Sequence, residues 1–353
     1  MKHYLYLATL AIGALLGSCS SDEVIDAPRE SNLIGFKAMV NKTSRAEVTK
    51  DNLDRFRVFG CVTDVDNPTS GHITLFNDVM VTKTDGVWTY KDEFKQYWSP
   101  NKDYFFVAIS TNSPTPVWEF TAPDTHDAAL DKANFYGYGT VAMDITKADA
   151  TGISANGERD LVYAAATRTT PATVTDGSAV QLSFYHMLSR ININFENAFT
   201  NNTYSIKVTN IKIGGLTQKG EVTLGAAPAD LAWSATSETP VEITTIIPTG
   251  QETIAQNSSQ TAMSRFIIPG TQAISIQFDV EVLQNGTQYA KKTLTGTVNA
   301  QEYKPGLSYM FTASISHTNI VEGGALPIEF TVQQVAGWGT DNSGDINFPD
   351  TTE

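Results

Sequence analysis

Apolar and polar residues alternate along much of this chain. Ile274, Ile276, Phe278, Val280 and Val282 are interleaved with Ser275, Gln277, Asp279 and Glu281. Side chains of a strand point to its two faces in turn, so this run predicts a half-buried strand. Ile191, Ile193 and Phe195 alternate with Asn192 and Asn194, and Tyr309, Phe311, Ala313 and Ile315 repeat the pattern. Ile206 and Val208 share one phase, Ile211 and Ile213 the other, which predicts a β-bulge at Thr209-Asn210. Tyr104-Phe105-Phe106-Val107-Ala108-Ile109 is apolar on both faces and predicts a central strand.

Turn residues punctuate these runs. Gln284-Asn285-Gly286-Thr287 carries the Asn-Gly hairpin signal. Pro305-Gly306, Pro269-Gly270 and Gly214-Gly215 predict further corners. Helical pattern is scarce: residues 126–134 predict one short helix, and residues 145–150 one turn, both in connections. The class is therefore all-β, with short strands at sandwich spacing. Breaker-rich Thr169-Thr170-Pro171-Ala172-Thr173 and Thr175-Asp176-Gly177-Ser178 predict a boundary between residues 33–175 and 176–353. Each half should then bury its own core, and a fragment starting near Ser183 is expected to fold.

The front end has its own organisation. Lys2 and His3 precede an uncharged run over residues 4–16. That run is shorter than the roughly 20 residues of a membrane-spanning helix and fits the apolar region of a secretory signal over residues 1–18. Leu16-Gly17-Ser18-Cys19 resembles the bacterial lipobox, which implies a diacylglycerol on Cys19. Ser20-Ser21-Asp22-Glu23 resembles the acidic tether of surface lipoproteins of Bacteroides-type bacteria, and residues 19–32 are expected to be a polar leash. A strand follows, in which Ile34, Phe36, Ala38 and Val40 alternate with Gly35, Lys37 and Met39. Ser44-Arg45-Ala46 comes next, before the polar linker at residues 47–51, so the Arg45–Ala46 bond is expected to be exposed.

The formal net charge of −14 argues against nucleic acid as a partner, because phosphate contacts need clustered Lys and Arg. Cys19 and Cys61 are the two cysteines. With Cys19 lipidated, Cys61 in its strand-like run reads as a buried thiol, and no zinc or redox spacing is present. No nucleophile elbow or phosphate loop occurs. His186, in an apolar run, reads as a satisfied core histidine. Asp64-Val65-Asp66-Asn67-Pro68 lacks the glycine and terminal glutamate of a calcium loop and reads as a solvated turn. Trp88, Tyr90, Tyr97, Trp98 and Trp118 could stack on sugars, but their strand context favours core packing. No catalytic residue, cofactor or metal ligand is assigned, and the chain is not expected to be an enzyme.

Several segments together resemble the fimbrillin family. Asn52-Leu53-Asp54-Arg55-Phe56-Arg57-Val58-Phe59-Gly60 resembles its first core strand. Val87-Trp88-Thr89-Tyr90, Tyr97-Trp98-Ser99-Pro100 and Tyr104-Phe105-Phe106-Val107-Ala108 resemble its aromatic segment. Asp160-Leu161-Val162-Tyr163-Ala164 and Phe184-Tyr185-His186-Met187-Leu188-Ser189-Arg190 resemble its domain-crossing segment, and Pro305-Gly306-Leu307-Ser308-Tyr309 and Val335-Ala336-Gly337-Trp338 its ending. Pro269-Gly270-Thr271 departs from the Pro-Gln of many members.

The resemblance implies two transthyretin-like β-sandwich domains in tandem and a lipoprotein precursor exported to the outer membrane and cell surface. In polymerising members an arginine-specific protease removes the N-terminal segment, and a strand from the next subunit fills the vacated groove. Here the cut is expected at Arg45, the displaced strand is the one carrying Ile34, Phe36, Ala38 and Val40, and the donor is the C-terminal Ile328, Phe330 and Val332. The implied partners are other fimbrial subunits, the processing protease, and a host or bacterial surface receptor. The alternatives are a surface glycan-binding lipoprotein that never polymerises and a hydrolase with paired carboxylates.

Overall fold

The computed structural model describes residues 32–40, 52–66, 72–113, 115–121, 139–147, 159–174, 177–224, 231–237, 239–320 and 330–335. The fold is all-β, as the alternation predicts. The first half of the chain supplies β1 (Phe36–Val40), β2 (Arg55–Asp64), β3 (Ile73–Thr84), β4 (Val87–Thr89), β5 (Lys102–Ser110), β6 (Trp118–Thr121), β7 (Thr140–Asp144) and β8 (Val162–Thr169). Then follow β9 (Val180–His186), β10 (Ser189–Asn197), β11 (Tyr204–Thr217), β12 (Lys219–Thr223), β13 (Trp233–Ala235), β14 (Pro240–Thr245), β15 (Thr253–Ile254) and β16 (Ser259–Thr261). The last are β17 (Arg265–Ile267), β18 (Gly270–Gln284), β19 (Thr287–Tyr303), β20 (Ser308–Ile315), the single-turn helix α1 (His317–Ile320) and β21 (Phe330–Val335).

Seven strands form one sheet in the order β1-β9-β8-β5-β2-β3-β4. β5 lies between β2 and β8, and Tyr104 to Ile109 are all buried, as a central strand requires. Alternate residues of β2 and β5 serve two different cores. Phe56, Val58, Tyr104, Phe106 and Ala108 face a core that also holds Ile34 and Phe36. Phe59, Cys61, Phe105, Val107 and Ile109 face the larger core that runs on into the second half. The sheet curls so that its two ends meet: Leu33 bridges to Tyr97, and Ile34 N–H donates to the Gln96 carbonyl at 2.9 Å.

Two further sheets come from the second half. One has the order β16-β10-β20-β21, with β17 beside β10; the other has the order β14-β11-β18-β19, with β15 beside β11. The apolar set Ile274, Ile276, Phe278, Val280 and Val282 is buried, matching its period of two. Register slips between Thr209 and Lys212, and Asn210 has φ 53°, so the bulge lies where the phase change predicts it. Asn285 and Gly286 have φ 51° and 81°, the left-handed pair that a two-residue hairpin needs. Gly214-Gly215 is a correction. It makes no corner but lies inside β11, where register against β14 shifts. Gly215 has φ 80°, and a Cβ there would sit 2.3 Å from the Ala273 carbonyl oxygen. Only glycine allows that approach.

A fourth sheet, β13-β12-β7-β6, joins strands from both halves of the chain. β12 pairs with β7 from Lys219↔Asp144 to Thr223↔Thr140. β9, which follows the breaker-rich stretch, returns to the seven-stranded sheet beside β8. The expected helix at residues 126–134 lies outside the described residues.

Candidate functional site

β1 is a short edge strand whose alternate side chains enter an aromatic socket. It pairs in parallel with β9, from Phe36↔Val180 to Val40↔Phe184. Ile34 is 0% exposed and Phe36 4%, while Ala38 is half-buried and Lys37 faces solvent. The Phe36 ring sits edge-on to four others: Phe76 at 5.5 Å, Tyr90 and Phe106 at 5.9 Å, and Phe56 at 6.0 Å. Edge-to-face geometry sets the positive ring edge against the negative face, which adds to the gain from burial.

The backbone is held as closely as the side chains. Val180 N–H donates to the Gly35 carbonyl at 2.8 Å, and Trp98 N–H to the Asn32 carbonyl at 2.9 Å. Tyr90 Oη–H donates to the Ile34 carbonyl at 2.7 Å. Burial pushes the Tyr90 hydroxyl up to about 12, against the lowering effect of the Gln96 backbone. Tyr90 thus stays a neutral donor across the physiological range. Burying Ile34 and Phe36 contributes about 1.5–3 kcal/mol each as an upper estimate. That is a large share of the roughly 5–15 kcal/mol by which whole domains are stable.

Of the residues singled out from the sequence, Ile34, Phe36 and Ala38 thus meet one core. Val40 takes part through its backbone register, and its side chain lies outside the described ones. Cys19, Arg45, Ala46 and Ile328 lie outside the described residues. Phe330 is half-buried in β21, which pairs antiparallel with β20 of its own chain, Phe330 opposite Ala313 and Val332 opposite Phe311. The side chain of Val332 is likewise outside the described ones. The Phe330 ring lies 6.5 Å from Phe278. The sequence reading missed Tyr90 as the donor to β1, and Val180, Leu182 and Phe184 as the strand beside it. No local signal marks either role, because both arise from the curl of the sheet.

The other candidates resolve into packing. Trp98 and Trp118 are buried, and Trp88 and Tyr90 pack half-buried against the core around Phe36. His186 is a buried core histidine whose Nδ1 lies 2.7 Å from Asp160 Oδ2. Cys61 is buried. Asp64 pairs with Lys102. Among the described residues, no group of three or more His, Cys, Asp or Glu could hold a metal ion.

A sequence profile described as fimbrillin-like matches residues 42–332, from just after β1 into β21. The chain belongs to the fimbrillin-like family. Among solved structures, this fimbrillin-like chain is 16% identical to a fimbrial protein from Bacteroides vulgatus, with a TM-score of 0.55 over 87% of this chain and 99% of that one. A candidate cell adhesion protein from Bacteroides ovatus is 16% identical, with a TM-score of 0.49 over 89% of this chain and 100% of the other. One from Bacteroides uniformis is 15% identical, with a TM-score of 0.49 over 88% and 99%. The likeness to the first supports the fold alone. No curated protein matches this chain.

Proposed function

We propose that this fimbrillin-like chain is a fimbrial subunit or fimbria-associated adhesion protein of the cell surface, and that β1 is a removable plug. The carrying observation is the β1 slot: a short edge strand of the chain fills a socket of four aromatic rings, and Arg45 and then the polar stretch 47–51 follow it in sequence. Cleavage after Arg45 releases the plug. The slot is then left with apolar walls and a bare β9 edge, and a strand from another subunit restores both. The proposed donor is the C-terminal segment with Ile328, Phe330 and Val332, whose apolar-x-Phe-x-apolar pattern repeats that of Ile34, Phe36 and Ala38. A lipid on Cys19 holds the precursor on the outer membrane, and the partners are fellow subunits, the arginine-specific protease and a surface receptor. The role is structural and adhesive rather than enzymatic. The chain is also read as two sandwich bodies that meet near residues 170–183 and share the β13-β12-β7-β6 sheet.

The test is to treat the purified precursor with an arginine-specific protease and run it unheated on a gel. A heat-sensitive ladder is expected, absent in Arg45→Ala and absent after deletion from residue 326 onward. Ladders from intact, uncut precursor would overturn the plug reading. Ladders from the cut tail deletion would overturn the C-terminal donor.

A further inference from the structure

We propose that β9 is a strand poised to close onto β8, and that β1 is what holds it open. This rests on the reading that β1 leaves its slot. β9 pairs with β1 at five positions but with β8 at only two, Val162↔His186 and Tyr163↔Tyr185. Beyond Tyr163 the β8–β9 ladder stops. Continued in the same register, it would set Ala165 opposite Ser183 and Thr167 opposite Gln181. An open cleft of about 480 Å³ lies where that ladder would run, with Ala166, Thr167 and Arg168 on one side, Ala179, Val180 and Gln181 on the other, and Pro171, Val174 and Ser178 of the connection at its end. Arg168 spans its mouth, donating to the Ser178 carbonyl at 2.6 Å with its guanidinium 4.1 Å over the Trp98 ring.

The facing of each amide follows from one hydrogen bond. Val180 N–H points to β1, since it donates to Gly35. Successive amides of a strand point to opposite edges, so Leu182 and Phe184 also face β1 while Gln181 and Ser183 face β8. On the core side β8 presents the small Ala164 and Ala166, while Arg168, Pro171 and the half-buried Val174 sit at the far end of the cleft, so closure runs from Tyr163 outward and shifts these last. On the other side Thr167 and Gln181 are exposed polar residues. What keeps the strands apart is the five-position ladder to β1, itself tied to the wall at Gln96 and in the Phe36 socket.

When β1 departs, residues 180–184 have no ladder on either side. Unpaired backbone groups seek partners, and β8 already runs antiparallel within reach. Closure extends the ladder through Ala165–Ser183 and Thr167–Gln181 and seals the cleft. The strand-free chain then offers the outer edge of β9 and the Gln96–Trp98 backbone as the two walls of one slot, with the inner edges of β8 and β9 paired to each other. An incoming strand then meets one slot and no competing inner edge, so the device confers specificity.

The test uses the full chain with β1 released by Ile34→Asp and Phe36→Asp, without any cleavage. Residue-resolved amide hydrogen exchange is compared with the unsubstituted chain. The expected result is a split: exchange at Val180, Leu182 and Phe184 rises at least tenfold while exchange at Gln181 and Ser183 slows. A rise at all five positions, whether by fraying of β9 or by failure of the chain to fold, overturns closure. So does an unchanged pattern at Gln181 and Ser183. A second arm pairs Thr167→Cys with Gln181→Cys in the full chain and follows disulfide formation by mapped mass. It should be at least tenfold faster once β1 is released, and equal rates overturn the proposal. Neither arm needs cutting at Arg45 or polymer formation, so their failure is distinct from failure of the plug reading.

Discussion

Replacing Phe36 by alanine should loosen β1 without unfolding the sheet behind it. The ring is 4% exposed and touches four aromatic neighbours at 5.5–6.0 Å. Truncating a core Phe to Ala costs about 3–5 kcal/mol, part from lost transfer free energy and part from the cavity left behind. At about 1.4 kcal/mol per decade, the closed state of β1 is disfavoured by roughly two to nearly four orders of magnitude. The loss is local because β1 is an edge strand, whereas β5 keeps both neighbours, β2 and β8. Amide exchange followed by mass spectrometry reads this directly. Segments carrying residues 34–38 and the β1-facing amides of β9 should lose protection, while β2 and β5 keep theirs. Even acceleration across β2, β5 and β8 would refute the argument, since β1 would then unfold only with the whole sheet. A change under about 1 kcal/mol would refute the socket itself, being smaller than the burial of one such ring.

Other outcomes follow from the same geometry. Gly215→Ala should destabilise by about 1–3 kcal/mol, since φ 80° disfavours a Cβ and the Ala273 carbonyl stands 2.3 Å away; the urea midpoint should fall with an unchanged slope. Burial pushes Tyr303 up to about 12, against about 10 for an unfolded tyrosine, so its contribution is complete below pH 10 and is lost as pH rises from there through 12. Tyr303→Phe should therefore show a shallower loss of stability over that alkaline window than the parent, read by denaturant titration at stepped pH. A fragment beginning at Ser183 keeps the two sheets built within the second half but leaves β12 without β7. It should fold cooperatively with a lower melting temperature than the full chain, and absence of a cooperative transition by circular dichroism would count against two sandwich bodies.

Much was legible in the residues. Period-two alternation located β10, β11, β18 and β20, because the two faces of a strand are fixed by its own backbone. The bulge at Asn210 and the Asn285-Gly286 hairpin were legible for the same reason: a phase slip and a left-handed pair are local events. So was the burial of Ile34 and Phe36, which need only share a face. Partner choice was not legible. That β1 lies parallel to β9, that β12 crosses to β7, and that β8 and β9 part after two pairs depend on contacts between residues far apart in the chain. Gly214-Gly215 looked like a corner because glycine permits a turn, yet the close Ala273 carbonyl made it a bulge inside a strand. Tyr90 became a donor to Ile34 only because the sheet curls until its ends meet, a consequence of summed twist over seven strands that no single segment encodes.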